Sequence, residues 1–225
     1  MGKEIDHLQN SSKSFLGETM KILTINAWST IQYPTKALRT ASIVKTHYRP
    51  NLYLMEGVCG YELFQVTKTI HITELRINDE VVMIDDPMHW LGMKELAKYS
   101  SGRVLIGGLG LGLIIHHLAN NSKVTHIDVI EINKDVIELI KPLLPKDKRV
   151  QIHHDNIYGY SWVHGHYDTI ILDLWVKHNN KDIELAGQGK ANTGDIVGTY
   201  LRFKFNNPKS KIYIRGHRNP SINTA

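Results

Sequence analysis

One stretch of the chain joins an apolar lead-in to a run of glycines: Val104-Leu105-Ile106-Gly107-Gly108-Leu109-Gly110-Leu111-Gly112. Glycines there admit backbone angles that a Cβ forbids. They also let main-chain amides approach a bound anion or nucleoside closely. Gly108, Gly110 and Gly112 form G-x-G-x-G, whereas the dinucleotide fingerprint G-x-G-x-x-G meets Leu113 at its last position. Glu131 follows 19 residues after Gly112, at the distance where a carboxylate accepts hydrogen bonds from a ribose diol. Its plainer reading is an acid at the entry to a helix, beside Asn133. Asp155 and Asn156 come next, either as acceptors for an adenine amino group or as ordinary turn residues. Asp173, in Leu172-Asp173-Leu174-Trp175, stands where open α/β sheets present ligand-facing groups. Trp175 either walls a ligand or packs on the sheet rim. His89-Trp90 either lines an acceptor pocket or packs strands against a helix.

These residues are useful only if regular elements bring them together. Arg103–Gly107, His126–Glu131, Arg149–His153, Asp168–Leu174 and Lys211–Arg215 are short apolar or β-branched runs and predict strands. Helical patterns at Leu111–Leu118, Asp135–Leu144 and Thr193–Phe205 alternate with them. Such alternation implies parallel pairing, right-handed crossovers and helices on both sheet faces. The glycines, Glu131, Asp155 and Asp173 then all fall at the carboxyl ends of strands. Upstream, Tyr61–Ile84 is β-rich, with a turn signal at Asn78-Asp79. Asp85-Asp86-Pro87 ends it, and Asp86 or Pro87 opens a helix over about His89–Tyr99. The division expected is residues 1–57 as a polar arm and mixed segment, 58–86 as a β-hairpin layer, and 87–225 as a Rossmann-like α/β domain. Residues 1–18 read as a loose arm.

Composition excludes several classes. Of 225 residues, 42% are hydrophobic and 22% charged, which fits a globule rather than a disordered chain. Cys59 is the only cysteine, so neither an intrachain disulfide nor a cysteine zinc cage is available. The histidine pairs His116-His117 and His153-His154, and the spaced His164 and His166, lack the converging ligands that zinc needs, and no metal is expected. No apolar run is long enough to span a membrane. Met1 to Asn10 has no apolar signal core, and Asp6 spoils a myristoylation motif at Gly2, so a cytoplasmic protein is expected. The formal charge of +5 is spread along the chain, which does not favour nucleic acid as a partner over a small molecule.

Taken together, the motifs resemble those of class I S-adenosylmethionine (SAM)-dependent methyltransferases, most closely the spermidine-synthase-like branch. VLIGGLGLG resembles the first motif, VIEIN the ribose-binding acid, HHDN the adenine region and YDTIILDLW the fourth strand. DDPMHWLGM resembles the helix that follows the β-rich entry of spermidine synthases. The resemblance spans about residues 60–180. It implies SAM as cofactor, with Gly107, Gly108, Leu109 and Gly110 against its methionine and ribose, Glu131 and Ile132 at the ribose, and Asp155 and Asn156 at adenine. Asp173 would face the transferred group and orient or deprotonate the acceptor, with His89, Trp90 and Trp175 around that acceptor.

The departures bear on the reaction. Aminopropyltransferases carry an acid inside the glycine loop, where this chain has Gly110. They carry another three residues after the fourth-strand aspartate, where it has Val176. Gripping a polycation requires several carboxylates, so the expectation is methyl transfer to an unidentified small molecule. Aminopropyl transfer from decarboxylated SAM and a non-catalytic nucleoside-binding protein are the alternatives. After Lys211–Arg215 only Gly216 to Ala225 remain, too few for the family's closing hairpin. The sheet is therefore expected to end at its fifth strand, with its open edge covered by a partner subunit or by the N-terminal segment, and a homodimer is expected.

Overall fold

The computed structural model describes residues 13–15, 18–23, 29, 31–57, 60–157, 160, 166–173, 209 and 211–214. Eight strands precede the first helix: β1 (Lys13–Phe15), β2 (Glu18–Leu23), β3 (Lys36–Ala37), β4 (Ala41–Tyr48), β5 (Asn51–Gly57), β6 (Gly60–Val66), β7 (Ile70–Ile77) and β8 (Glu80–Asp85). Helix α1 (Pro87–Tyr99), β9 (Gly102–Gly107), α2 (Leu113–Ala119), β10 (Val124–Glu131) and α3 (Lys134–Ile140) follow. A 3-10 turn (Lys141–Leu143), β11 (Val150–His154), β12 (Thr169–Leu172) and β13 (Lys211–Ile214) complete the described elements.

The last five strands form one parallel sheet in the order β11-β10-β9-β12-β13. Its first strand is central, so the chain winds outward one way through β10 and β11 and the other way through β12 and β13. That reversal opens a crevice at the carboxyl ends of β9 and β12, the arrangement of a Rossmann-like fold. Strand period two sorts the core. Val104, Ile106, Ile127, Val129 and Ile171 face one cluster with α1, α2 and α3. Leu105, Ile130, Ile170 and Leu172 face the other, where Ile157, Tyr160 and Tyr167 pack. The helix expected over Thr193–Phe205 lies outside the described residues.

Ahead of this domain, β3-β4-β7-β8 make a four-stranded antiparallel sheet. The expected hairpin is β7–β8, turned by Asn78 and Asp79 with φ of 49° and 65°, the left-handed angles of a tight hairpin. The layer is larger than a hairpin, because β4 pairs along all of β7. A further sheet, β1-β2-β6-β5, packs on it through Phe64, Val66, Ile70 and Ile72. Part of the loose arm expected over residues 1–18 is thus strand: β1 pairs with β2, Lys13 opposite Met20.

The sheet β3-β4-β7-β8 lies across the carboxyl edge of the parallel sheet. At one end, the Thr40 amide and hydroxyl both donate to Asp135 of α3, each at 2.8 Å, and Arg39 pairs with the same carboxylate. In the middle, Ile43, Leu75 and Met83 join the core cluster that contains Leu109 and Leu111 of the glycine loop. Two residues further on, the same face becomes polar, as Lys45 donates to Thr73 (2.9 Å) and Asp85 pairs across from Thr73. Among the described residues, no helix is long and apolar enough to cross a membrane.

Candidate active site at the carboxyl edge of the sheet

The glycine loop is built by backbone strain that only glycine bears cheaply. Gly108, Gly110 and Gly112 have φ of 91°, 51° and 76°. At Gly110 crowding adds to this: a Cβ would lie 2.2 Å from the Met83 sulfur. The loop's amides are directed at the protein itself. Gly108 N–H donates to Ile130 O (2.8 Å) and Leu109 N–H to Glu131 Oε2 (2.8 Å). Leu111 N–H points at Met83 Sδ (3.0 Å), and the Tyr33 hydroxyl donates to Leu111 O (2.8 Å). Burial, and then the charge of Asp85, push the Tyr33 hydroxyl far above its ordinary pKa, so it remains a donor.

Glu131 ends β10 and is 8% exposed. Its Oε1 accepts from Asn133 N–H (2.7 Å) while Oε2 holds Leu109. The acid thus stabilises the entry to α3, the plainer of its two readings, and ties that entry to the glycine loop. Each carboxylate oxygen has a second lone pair, so two acceptor positions remain for a diol. Ile132, next along, is 65% exposed, an apolar side chain standing at the strand end. A cavity of about 400 Å3 opens beside it, lined by Arg39, Thr40, Asn133 and His154 among others.

The other expected residues sort as follows. Asp155 N–H donates to Glu131 O (3.1 Å), which places Asp155 and Asn156 at the neighbouring strand end. Asp173 N–H donates to Gly107 O (3.0 Å), so Asp173 adjoins the glycine loop from the β12 side. Gly107, Gly108, Leu109, Gly110, Glu131, Ile132, Asp155, Asn156 and Asp173 thus share one edge. Trp90 stacks on His117 of α2, ring centroids 4.2 Å apart. Trp175 lies outside the described residues. The histidine pairs diverge: His153 bonds Asp128 (2.8 Å) and His154 the Ile132 carbonyl (3.0 Å). Burial lowers His117 to about 4, which keeps it neutral.

His89 has a partner in Asp86, which the sequence offered only as a helix opener. Asp86 caps α1, accepting from His89 N–H (2.8 Å), and its Oδ1 also lies 3.0 Å from His89 Nδ1. Tyr48 donates to Asp86 Oδ2 (3.0 Å). Burial works to raise Asp86, but the hydrogen bonds of His89 and Tyr48 outweigh it and hold the carboxyl below its usual range. Pro87 after Asp86 is a local signal for the cap. Nothing local pointed to Tyr33 or Met83, whose partner Leu111 lies 78 and 28 residues away.

No family model matches the chain. A segment of 79 residues, 31% of the chain, is 33% identical to a polyamine aminopropyltransferase of Lachnoclostridium phytofermentans, covering 27% of that protein. A segment of 81 residues is 36% identical to a polyamine aminopropyltransferase of Prochlorococcus marinus, covering 28% of it. The chain therefore spans little more than a quarter of the length of these curated relatives. Among solved structures, it is similar to the glycopeptide N-methyltransferase MtfA complexed with SAM, at TM-score 0.39 and 16% identity over 54% of this chain and 51% of that one. It is also similar to a precorrin 8W decarboxylase of Methanobacterium thermoautotrophicum, at TM-score 0.39 and 15% identity over 56% of this chain and 60% of that one.

Proposed function

We propose that the chain is a SAM-dependent methyltransferase acting on a small molecule. The observation that carries this is Glu131. A largely buried carboxylate with two acceptor positions left stands between a strained glycine loop and an exposed apolar Ile132, at the carboxyl edge of a Rossmann-like sheet. That set suits a nucleoside: the acid for a ribose diol, Ile132 against a base, Asp155 and Asn156 at the base edge, and Gly107 to Gly110 beside the remainder. Bound SAM supplies a methyl group on a sulfonium, ready for in-line displacement. The protein's part is to hold two reactants in a dry cleft, where positioning contributes most of the rate. Asp173 orients the acceptor. The polar row Lys45, Thr73 and Asp85 walls it.

Calorimetric titration with SAM, decarboxylated SAM and NAD tests the reading, with products read by mass spectrometry. SAM is expected to bind best. Glu131→Ala should weaken it about 10–100-fold, the loss of charge-assisted hydrogen bonds. Asp173→Ala should abolish turnover and spare SAM affinity. Binding of none of the three would sink the proposal. The local similarity to polyamine aminopropyltransferases favours a second reading, which a preference for decarboxylated SAM would establish.

A further inference from the structure

We infer that Asp86 and His89 form a general-base dyad for the acceptor, with His89 as the catalytic residue and Asp86 as its positioning residue. This deepens the methyltransferase reading and rests on it. Asp86 is 2% exposed, and its oxygens are engaged inward by the His89 amide, the His89 ring and the Tyr48 hydroxyl. It has no surface to offer a substrate; what it does is fix an imidazole. An ionised carboxylate only accepts, so the proton of the neutral ring must sit on Nδ1, and Nε2 carries the lone pair. The His89 side chain is 14% exposed, enough for one nitrogen to meet a ligand.

The fold sets this dyad at the same edge as the glycine loop. Strand β8 places Met83 against Gly110 and reaches Asp86 three residues later. Helix α1 has 13 residues and is therefore about 20 Å long. Its far end meets the amino ends of β12 and β13, where Ser101 N–H donates to Thr169 Oγ1 (3.1 Å) and Lys211 Nζ to Tyr99 O (3.4 Å). A helix of that length spans the height of the sheet, so its first turn lies toward the carboxyl edge, with Trp90 against His117 of α2. In the reaction, Nε2 takes the proton of the acceptor's O–H or N–H. The freed electron pair forms the bond to the methyl carbon as the carbon–sulfur bond breaks onto sulfur, and the imidazolium returns its proton to solvent.

A plain helix cap makes a different prediction, and Asp86→Asn separates the two. Asparagine caps as well as aspartate, so the melting temperature should hardly change. With its oxygen kept as the cap, however, the side chain loses the carboxylate's charge, so it no longer pins the ring proton to Nδ1 and the tautomer protonated on Nε2 gains. Diethyl pyrocarbonate attacks an unprotonated imidazole nitrogen, and mapped peptides report each histidine. In the wild type His89 should acylate at Nε2, and S-adenosylhomocysteine should slow this several-fold. Asp86→Asn should slow it without ligand. With an acceptor identified, His89→Gln should lower kcat about 10²–10⁴-fold at unchanged SAM affinity. If SAM binds but S-adenosylhomocysteine leaves His89 unshielded, or if Asp86→Asn acylates like the wild type, the dyad is overturned alone. If SAM does not bind the wild type, the reading beneath it fails, and the dyad with it.

Discussion

Gly110 shows how one residue joins two parts of the chain. Its φ of 51° and the Met83 sulfur 2.2 Å from a notional Cβ penalise any side chain twice, through the backbone and through packing. Gly110→Ala should cost roughly 1–3 kcal/mol in denaturant unfolding, the usual range for a forced left-handed residue. Adding Met83→Ala should recover the packing share only. A fully additive double mutant would show that the sulfur does not crowd the loop. At this scale the gathering of Glu131 and the glycines at one edge was legible and what supports them was not. Glu131 and the glycines announce themselves by type and spacing. Tyr33, ahead of β3, and Met83 of β8 hold the loop from far away in sequence, and neither a tyrosine nor a methionine carries a mark of its tertiary partner.

Strands and helices of the parallel sheet were legible because each apolar run is short and bounded by polar residues or turns. Val104–Gly107 is too short for a helix, and the helix expected to run to Pro145 ends earlier, at Ile140, because Pro142 turns the next residues into a 3-10 form. Less legible was the polar knot on the sheet's second face. Asp128, mid-strand and 2% exposed, accepts from Arg103 (2.9 Å), Tyr167 (3.0 Å) and His153 (2.8 Å), with His126 at 3.2 Å. Burial alone would raise this carboxyl, but bonds from His153, Arg103, Tyr167 and His126 bring it down to about 2. Its folded value thus lies below the unfolded value of about 3.9. Asp128 therefore adds stability above about pH 4 and loses it as the pH falls toward 2. Asp128→Asn should destabilise the protein by on the order of 2 kcal/mol near neutrality, with the difference closing near pH 2. A gap that persists at pH 2 in unfolding curves would refute the assignment. In the sequence HIDVIE, Asp128 reads as an interruption of a strand; only the folded sheet supplies its four partners.

For the molecule as a whole, the cofactor edge and the β3-β4-β7-β8 sheet act as one body, through Asp135 at one end and Met83 and Tyr33 in the middle. SAM should accordingly slow hydrogen exchange at the amides of β4 and β8 as well as in the glycine loop. Protection confined to the loop would mean that the sheet is a passive cover. Alternating strands and helices made the parallel domain readable from sequence. The breadth of the upstream layer was not, because residues 20–57 mix short apolar runs with Pro34 and Pro50 and show no clean period.

The contacts that seat this layer have a bearing on synthesis. Tyr33 waits for Leu111, 78 residues later, and Thr40 for Asp135, 95 residues later. At ribosomal rates of about 5–20 residues per second, the delay is roughly 4–20 s. Throughout that interval the apolar row of β4 has no glycine loop to cover. Such an uncovered apolar face is prone to associate with other chains, so the protein's yield should be more sensitive to chaperone supply than its folded stability suggests.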